Sequence, residues 1–215
     1  MQSKKSIVYG PYFSRRLGRS LGISLYPENI KVCSFDCVYC EVGKTHTPTL
    51  DPSLEQCHSM DEILWSVEKA VKKPRTIEHL TLSGNGEPTL HPNFPEIVQN
   101  IKHILGKFRP DVKLALLTNG SKASTGKFQV VYPLIDKAMF KLDAGDNETF
   151  QAINQPVDGF EFSVLIMGLR KTSDLILQSC LLEGDFTNIH GPSFKASVET
   201  LKALDPDEVQ IYSIE

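Results

Sequence analysis

From residue 59 onward, short apolar strand patterns alternate with amphipathic helix patterns, which restricts the chain to an α/β architecture. Ser59-Met60-Asp61-Glu62 reads as a capping box, and Ile63, Leu64, Val67, Ala70 and Val71 then share one helical face before Lys72-Lys73-Pro74 ends it. Further helices are expected from Asn93 to Leu105, around 124–134, from the Asp146 cap to Ile153, and from Pro192 to Leu204. Strands are expected at 79–83, 113–118, 137–143, 175–182 and 208–214. With a first strand closing over Ile30–Cys33, six strands result. Short links between them imply right-handed βαβ units and a parallel sheet. Six units fall short of a closed eight-stranded barrel and suit an open partial (β/α)6 barrel; a flat doubly wound sheet satisfies the same pattern.

Composition narrows the class. A chain of 215 residues, 40% apolar and 23% charged, has the length of one domain or two small ones and excludes disordered, collagen-like and coiled-coil proteins. The expected division is a basic N-terminal extension at 1–20 followed by the barrel at 21–215. Apolar runs such as Val164–Met167 are only strand-length, and no apolar stretch follows Lys4-Lys5. The sequence therefore predicts no membrane span, no signal peptide and a cytoplasmic address. Residues 1–27 carry Lys4, Lys5, Arg15, Arg16 and Arg19 with no acid, whereas the remainder has 18 basic and 26 acidic residues. A basic end on an acidic body suits contact with phosphates, and equally suits a solvated charged face.

Three of the five cysteines fall within eight residues, Cys33-Ser34-Phe35-Asp36-Cys37-Val38-Tyr39-Cys40. Thiols clustered in this way, with no signal peptide, point to metal rather than to disulfides. Three thiolates on one loop can hold three irons of a cubane and leave the fourth open. A zinc site completed by Cys57 or His58 is the competing reading. The strand ends add Ser83-Gly84-Asn85-Gly86-Glu87, Thr118-Asn119-Gly120 and Lys141-Leu142-Asp143. In parallel α/β folds the carboxyl ends of strands form the functional rim, so these groups are expected to converge at one mouth.

The C-x3-C-x-aromatic-C motif, with Tyr39 before the last cysteine, resembles the signature of the radical S-adenosylmethionine (radical SAM) superfamily. The resemblance covers roughly residues 20–215 and implies a partial barrel, one [4Fe–4S] cluster held by Cys33, Cys37 and Cys40, and S-adenosylmethionine as cofactor. It implies reductive cleavage of S-adenosylmethionine to a 5′-deoxyadenosyl radical that abstracts hydrogen from a substrate. Gly84, Asn85, Gly86 and Glu87 resemble the family's GGE element, with Glu87 expected to receive the cofactor's ammonium. Tyr39, Asn119, Lys141 and Asp143 are the remaining cofactor contacts that it implies, and Gln210-Ile211-Tyr212 is expected to offer backbone alone. The segment Gly10–Ile23 together with the cysteine loop resembles a subgroup compared with tRNA wyosine-base synthases. That comparison implies a tRNA base as substrate; from the basic segment, Arg15, Arg16 and Arg19 are the expected phosphate contacts, and a reducing donor such as flavodoxin or ferredoxin is the expected partner. An activase that installs a glycyl radical on a protein partner, and a non-catalytic iron–sulfur or zinc module, are the alternative functions.

Overall fold

The computed structural model describes residues 7–213, so Lys4 and Lys5 of the basic segment and Ile214 of the last expected strand lie outside it. Its main sheet has seven strands in the order β1-β2-β5-β6-β7-β8-β9 and curls into a half-barrel. The strands are β1 (Val8–Ser14), β2 (Gly18–Ile23), β5 (His79–Leu82), β6 (Lys113–Thr118), β7 (Lys137–Lys141), β8 (Ile176–Leu181) and β9 (Glu208–Ser213). Every neighbouring pair from β2 to β9 is parallel, and β1 pairs antiparallel with β2. The connections carry α1 (Met60–Val71), α2 (Phe94–Phe108), α3 (Gly126–Val131), α4 (Asn147–Asn154), α5 (Phe162–Leu169) and α6 (Gly191–Leu204).

Six parallel strands were expected, but the first of them is β2, not a strand ending at Ile30–Cys33. Residues Val32–Cys33 form only a two-residue strand, β3, paired with β4 (Thr47–Pro48) outside the main sheet. The apolar run at 164–167 lies in helix α5, an element that its strand-like length concealed. A domain boundary at residue 20 would fall inside β2, and residues 8–14 are hydrogen-bonded into the sheet. Two expected caps are present: Ser59 accepts from the Glu62 amide, and Asp146 accepts from that of Thr149. Among the described residues, no helix is long and apolar enough to cross a membrane.

Strand alternation sorts the side chains onto two faces. Leu21, Ile23, Leu80, Leu82, Leu114, Leu116, Phe140 and Leu177 join the core formed with Ile63 and Val67 of α1 and Ile97 and Ile101 of α2. Their neighbours on the opposite face include the small or polar Ser20, Thr81, Ala115 and Gln178. Ser20 bonds Thr81 across 2.6 Å, and the Gln178 amide donates to Gln210 Oε1 at 2.7 Å. The β1–β2 hairpin folds over this inner face, where Leu17 in its turn packs on Ala115 and Met139. Tyr9 follows it inward: its hydroxyl bonds Ser83 Oγ at 2.9 Å, and its ring fills the space beside Gly22.

One glycine couples the sheet to the cysteine segment. Gly86 has φ +118°, and a Cβ there would stand 2.0 Å from the Val32 carbonyl oxygen. That contact is close because Gly86 bridges Val32 and the next amide, Glu87 N, donates to Val32 O at 3.0 Å. Gly86→Ala is expected to cost about 2–4 kcal/mol of unfolding free energy, through both backbone strain and the clash. Urea denaturation checks this; a variant within about 0.5 kcal/mol of the parent, the range of neutral surface changes, would contradict the close approach.

Candidate functional site

The cysteine loop is held by the chain that leaves α4. Gln155 has φ 43°, which turns the backbone out of the helix so that residues 153–157 run alongside the loop. The Asp36 amide donates to the Asn154 and Gln155 carbonyls at 3.1 and 3.0 Å, and Val38 N donates to Ile153 O at 2.9 Å. Val157 N returns a bond to Ser34 O at 2.8 Å. Phe35, buried between these strands of backbone, packs edge-on against Phe150 at 5.3 Å and near Phe160 at 5.6 Å. From the other side, Lys31 is buried with its ammonium on the Gly43 carbonyl at 2.6 Å and 3.6 Å from the Asp36 carboxylate. Thr45 N completes the brace by donating to Asp36 Oδ1 at 2.7 Å.

The three cysteines are free thiols, each partly exposed. Nitrogen donors face two of the sulfurs. Phe35 N and Asn119 Nδ2 lie 3.5 and 3.6 Å from Cys33 Sγ, and Asn154 Nδ2 lies 3.4 Å from Cys37 Sγ. Burial pushes the Cys33 thiol up to about 12 and the Cys37 thiol up to about 11, because removal from water disfavours the thiolate. Cys57, a fourth-ligand candidate in the zinc reading, donates its thiol to the Ser53 carbonyl at 3.4 Å.

The expected cofactor residues gather around this loop, but several face inward. Glu87 is buried and its carboxylate is taken up internally, so it does not offer a free oxygen to an incoming ammonium. Oε1 accepts from Thr89 N at 3.0 Å, Thr89 Oγ1 at 2.6 Å and Thr118 Oγ1 at 2.7 Å, while Oε2 accepts from Asn119 N at 2.7 Å. Burial raises its pKa against the pull of these donors. The Asn85 amide donates to the Pro27, Glu28 and Ile30 carbonyls at 2.7–3.0 Å, fixing the approach to the cysteines. Gly84 and Gly86 form the turn between them, with Gly86 N bonded to Gly84 O at 2.9 Å.

On the other flank, Asp143 is a buried hub. It accepts from the Tyr39 hydroxyl, from Asn154 Nδ2 at 2.8 Å, from Cys180 N at 2.7 Å and from Lys141 Nζ at 3.1 Å. Lys141 bonds the Tyr212 hydroxyl and lies over the rings of Tyr212 and Tyr39 at 4.3 and 4.9 Å. Its pKa is raised: burial lowers it, but the Asp143 carboxylate and Tyr212 more than offset that. Tyr212 therefore brings a side chain as well as backbone, correcting the sequence reading of β9. A cavity of about 390 Å³ opens beside these groups, lined by Arg16, Tyr39, Cys40, Met139, Gln178 and Tyr212 among others. Of the three arginines, only Arg16 reaches it, with its guanidinium 5.2 Å above the Tyr212 ring. Arg15 and Arg19 point to solvent.

The sequence profile of the radical SAM superfamily matches residues 30–173. The chain belongs to this superfamily. Its cofactors are accordingly a [4Fe–4S] cluster and S-adenosylmethionine. It is 34% identical over 210 residues to a UPF0026 protein of Synechocystis, covering 95% of this chain and 74% of that one. A UPF0026 protein of Helicobacter pylori is 31% identical over 215 residues, 97% of this chain and 66% of its own. A segment forming 23% of a protein named GTPase Obg, from Brachyspira hyodysenteriae, matches 77% of this chain at 35% identity. The chain thus spans about a quarter to three quarters of these relatives. Among solved structures, TYW1 with a lysine–pyruvate adduct bound aligns with TM-score 0.61 and 15% identity, over 93% of this chain and 67% of that one. Native anSMEcpe with bound AdoMet aligns with TM-score 0.62 and 17% identity over 89% and 51%. Both show the radical SAM fold.

The residues present suit the superfamily's cluster. Three soft thiols share one braced loop, and N–H groups face two of them, a donor set of the kind that iron–sulfur clusters take. Asn154, Ser34 and Phe35 escaped the sequence reading. Phe35 falls at an unspecified position of the C-x3-C spacing, and Asn154 lies more than a hundred residues from the sulfur it touches. The one available signal was position: Asn154 ends the first helix after the Asp143 strand end.

The thiol environment predicts a pH profile. In metal-free protein, iodoacetamide should modify Cys37 roughly a hundredfold and Cys33 roughly a thousandfold more slowly at pH 8 than a free cysteine, with the rate rising about tenfold per pH unit toward the raised values. Mass spectrometry of alkylated peptides reads this directly. Rates equal to those of the urea-unfolded chain would contradict the burial of these sulfurs.

Proposed function

We propose that this chain cleaves S-adenosylmethionine reductively and uses the resulting radical to take a hydrogen atom from a nucleic-acid base, a tRNA base being the substrate that its subgroup resemblance favours. The observation that carries the reading is the braced C-x3-C-x2-C loop opening beside a cavity that the inner face of the half-barrel lines. When bound, a reduced cluster would supply the single electron that cleaves the sulfonium C–S bond of S-adenosylmethionine, the chemistry on which hydrogen abstraction depends. Cys33, Cys37 and Cys40 would hold the cluster. Tyr39, with its hydroxyl fixed by Asp143, would present its ring to the cofactor, and the Gly84–Gly86 turn would offer backbone to the methionine end. Glu87 and Asn85 act in this reading as struts for that turn, and Asn119 as a link between Glu87 and the cysteine loop.

The N-terminal hairpin supports the nucleic-acid part. Tyr12 and Phe13 are 64% and 80% exposed, Arg15 and Arg19 flank them, and Arg16 reaches into the cavity from the same turn. Exposed aromatics beside arginines suit base stacking and phosphate contact. A low-potential donor such as flavodoxin or ferredoxin would deliver the electron.

Anaerobic reconstitution with iron and sulfide, then dithionite and S-adenosylmethionine, tests the chemistry. The parent is expected to release methionine and 5′-deoxyadenosine, and Cys37→Ala to lose at least about a hundredfold of that rate, since one missing thiolate destabilises the cubane. An intact cluster that yields no 5′-deoxyadenosine would favour the non-catalytic module. Cleavage that depends on a stably bound large protein would favour the activase.

For the substrate, a tRNA gel shift is expected at low salt, weakened roughly tenfold or more in Arg15→Ala/Arg16→Ala and with a shallower salt slope. No shift at low salt would contradict the nucleic-acid assignment.

A further inference from the structure

Asn154 meets the cysteine loop twice and Asp143, just past the end of β7, once. Its backbone carbonyl accepts from Asp36 N, and its side-chain amide lies 3.4 Å from Cys37 Sγ and 2.8 Å from Asp143 Oδ2. The residue is only 2% exposed. The orientation of that amide is settled by its neighbours. Asp143 accepts from Tyr39, Cys180 N and Lys141 as well, so its carboxylate acts purely as an acceptor and must face the NH2 end. One N–H is thereby spent on Asp143, and the other is left pointing at the sulfur. The corresponding amide on Cys33 is less committed: Asn119 Nδ2 lies 3.6 Å from the sulfur and closer, 2.9 Å, to Ser34 Oγ.

We propose that Asn154 is a positioning residue that raises the reduction potential of the [4Fe–4S] cluster by donating a hydrogen bond to the Cys37 thiolate, with Asp143 holding the amide in line. The proposal rests on the three cysteines holding that cluster. Adding an electron increases the negative charge on the iron-bound sulfurs, and a buried donor stabilises that charge more than it stabilises the oxidised state. Asp143 contributes by orientation, and its own charge is offset by Lys141 at 3.1 Å. The donor thus reaches from α4 to the one ligand that lies mid-loop, where no strand supports it.

The test is an EPR-monitored redox titration of the reconstituted protein without substrate. Asn154→Leu, similar in size but with no donor, is expected to hold four irons and to be about tenfold harder to reduce, a shift of ~59 mV for one electron. Asn154→Gln, which keeps a primary amide, is expected to recover at least part of that shift. A four-iron Asn154→Leu protein within twofold of the parent's reduction equilibrium overturns the proposal and leaves the cluster assignment intact. A parent protein that assembles no cluster overturns both. Should Asn154→Leu fail to fold, pulsed EPR on protein labelled with ¹⁵N-asparagine in an Asn119→Ser background supplies the second measurement. A ¹⁵N coupling to the reduced cluster supports the proposal, and its absence overturns it.

Discussion

Backbone pairing between the cysteine loop and the chain leaving α4 is the constraint on which the site depends. A loop with three cysteines in eight residues has little secondary structure of its own, and its amides must find partners elsewhere. Residues 153–157 supply them, and Phe35 anchors the arrangement by burying its ring against Phe150 and Phe160. Complete burial of a phenylalanine contributes about 1.5–3 kcal/mol, enough to decide where an otherwise polar loop rests. The left-handed conformation at Gln155 makes the approach possible, so a turn far along the chain determines where the thiols stand.

Two buried carboxylates extend that constraint to the strand ends. Buried charge is tolerated only where donors compensate it, and both Glu87 and Asp143 are surrounded by them. Glu87 ties the turn after β5 to the end of β6. Asp143 ties the end of β7 to β8, α4 and Tyr39. The rim is therefore set before any ligand arrives, and a reactive intermediate generated there would meet fixed walls. Arg16 and Tyr212 show the same economy: the hairpin at one end of the chain and the last strand at the other meet across the cavity.

Most of the architecture was legible in the sequence because the periodicities are local. The capping box at Ser59, the Asp146 cap and the strand patterns at 79–83 and 113–118 depend on neighbours only a few residues away. Position of the first parallel strand was not legible, since Gly18–Ile23 mixes glycine and serine with its apolar residues and faces the small-residue interior. Helix α5 was hidden by a short apolar run that periodicity alone cannot assign. At the site, the convergence of the cysteine loop with Glu87, Lys141 and Asp143 could be read, whereas the orientations of those side chains could not. Whether a carboxylate faces a ligand or a neighbouring strand depends on contacts such as Thr118 to Glu87 and Asn154 to Asp143, which only the folded chain brings together.

The central claim is that three cysteine sulfurs from one braced loop grip an iron–sulfur cube and leave one corner for the cofactor. Mössbauer spectroscopy of ⁵⁷Fe-reconstituted protein, recorded before and after S-adenosylmethionine is added, addresses it most directly. The account predicts that one iron in four changes its isomer shift and quadrupole splitting while the other three stay as they were. Four irons unaffected by the cofactor, or a chain that takes up a single zinc ion in place of iron, would contradict it.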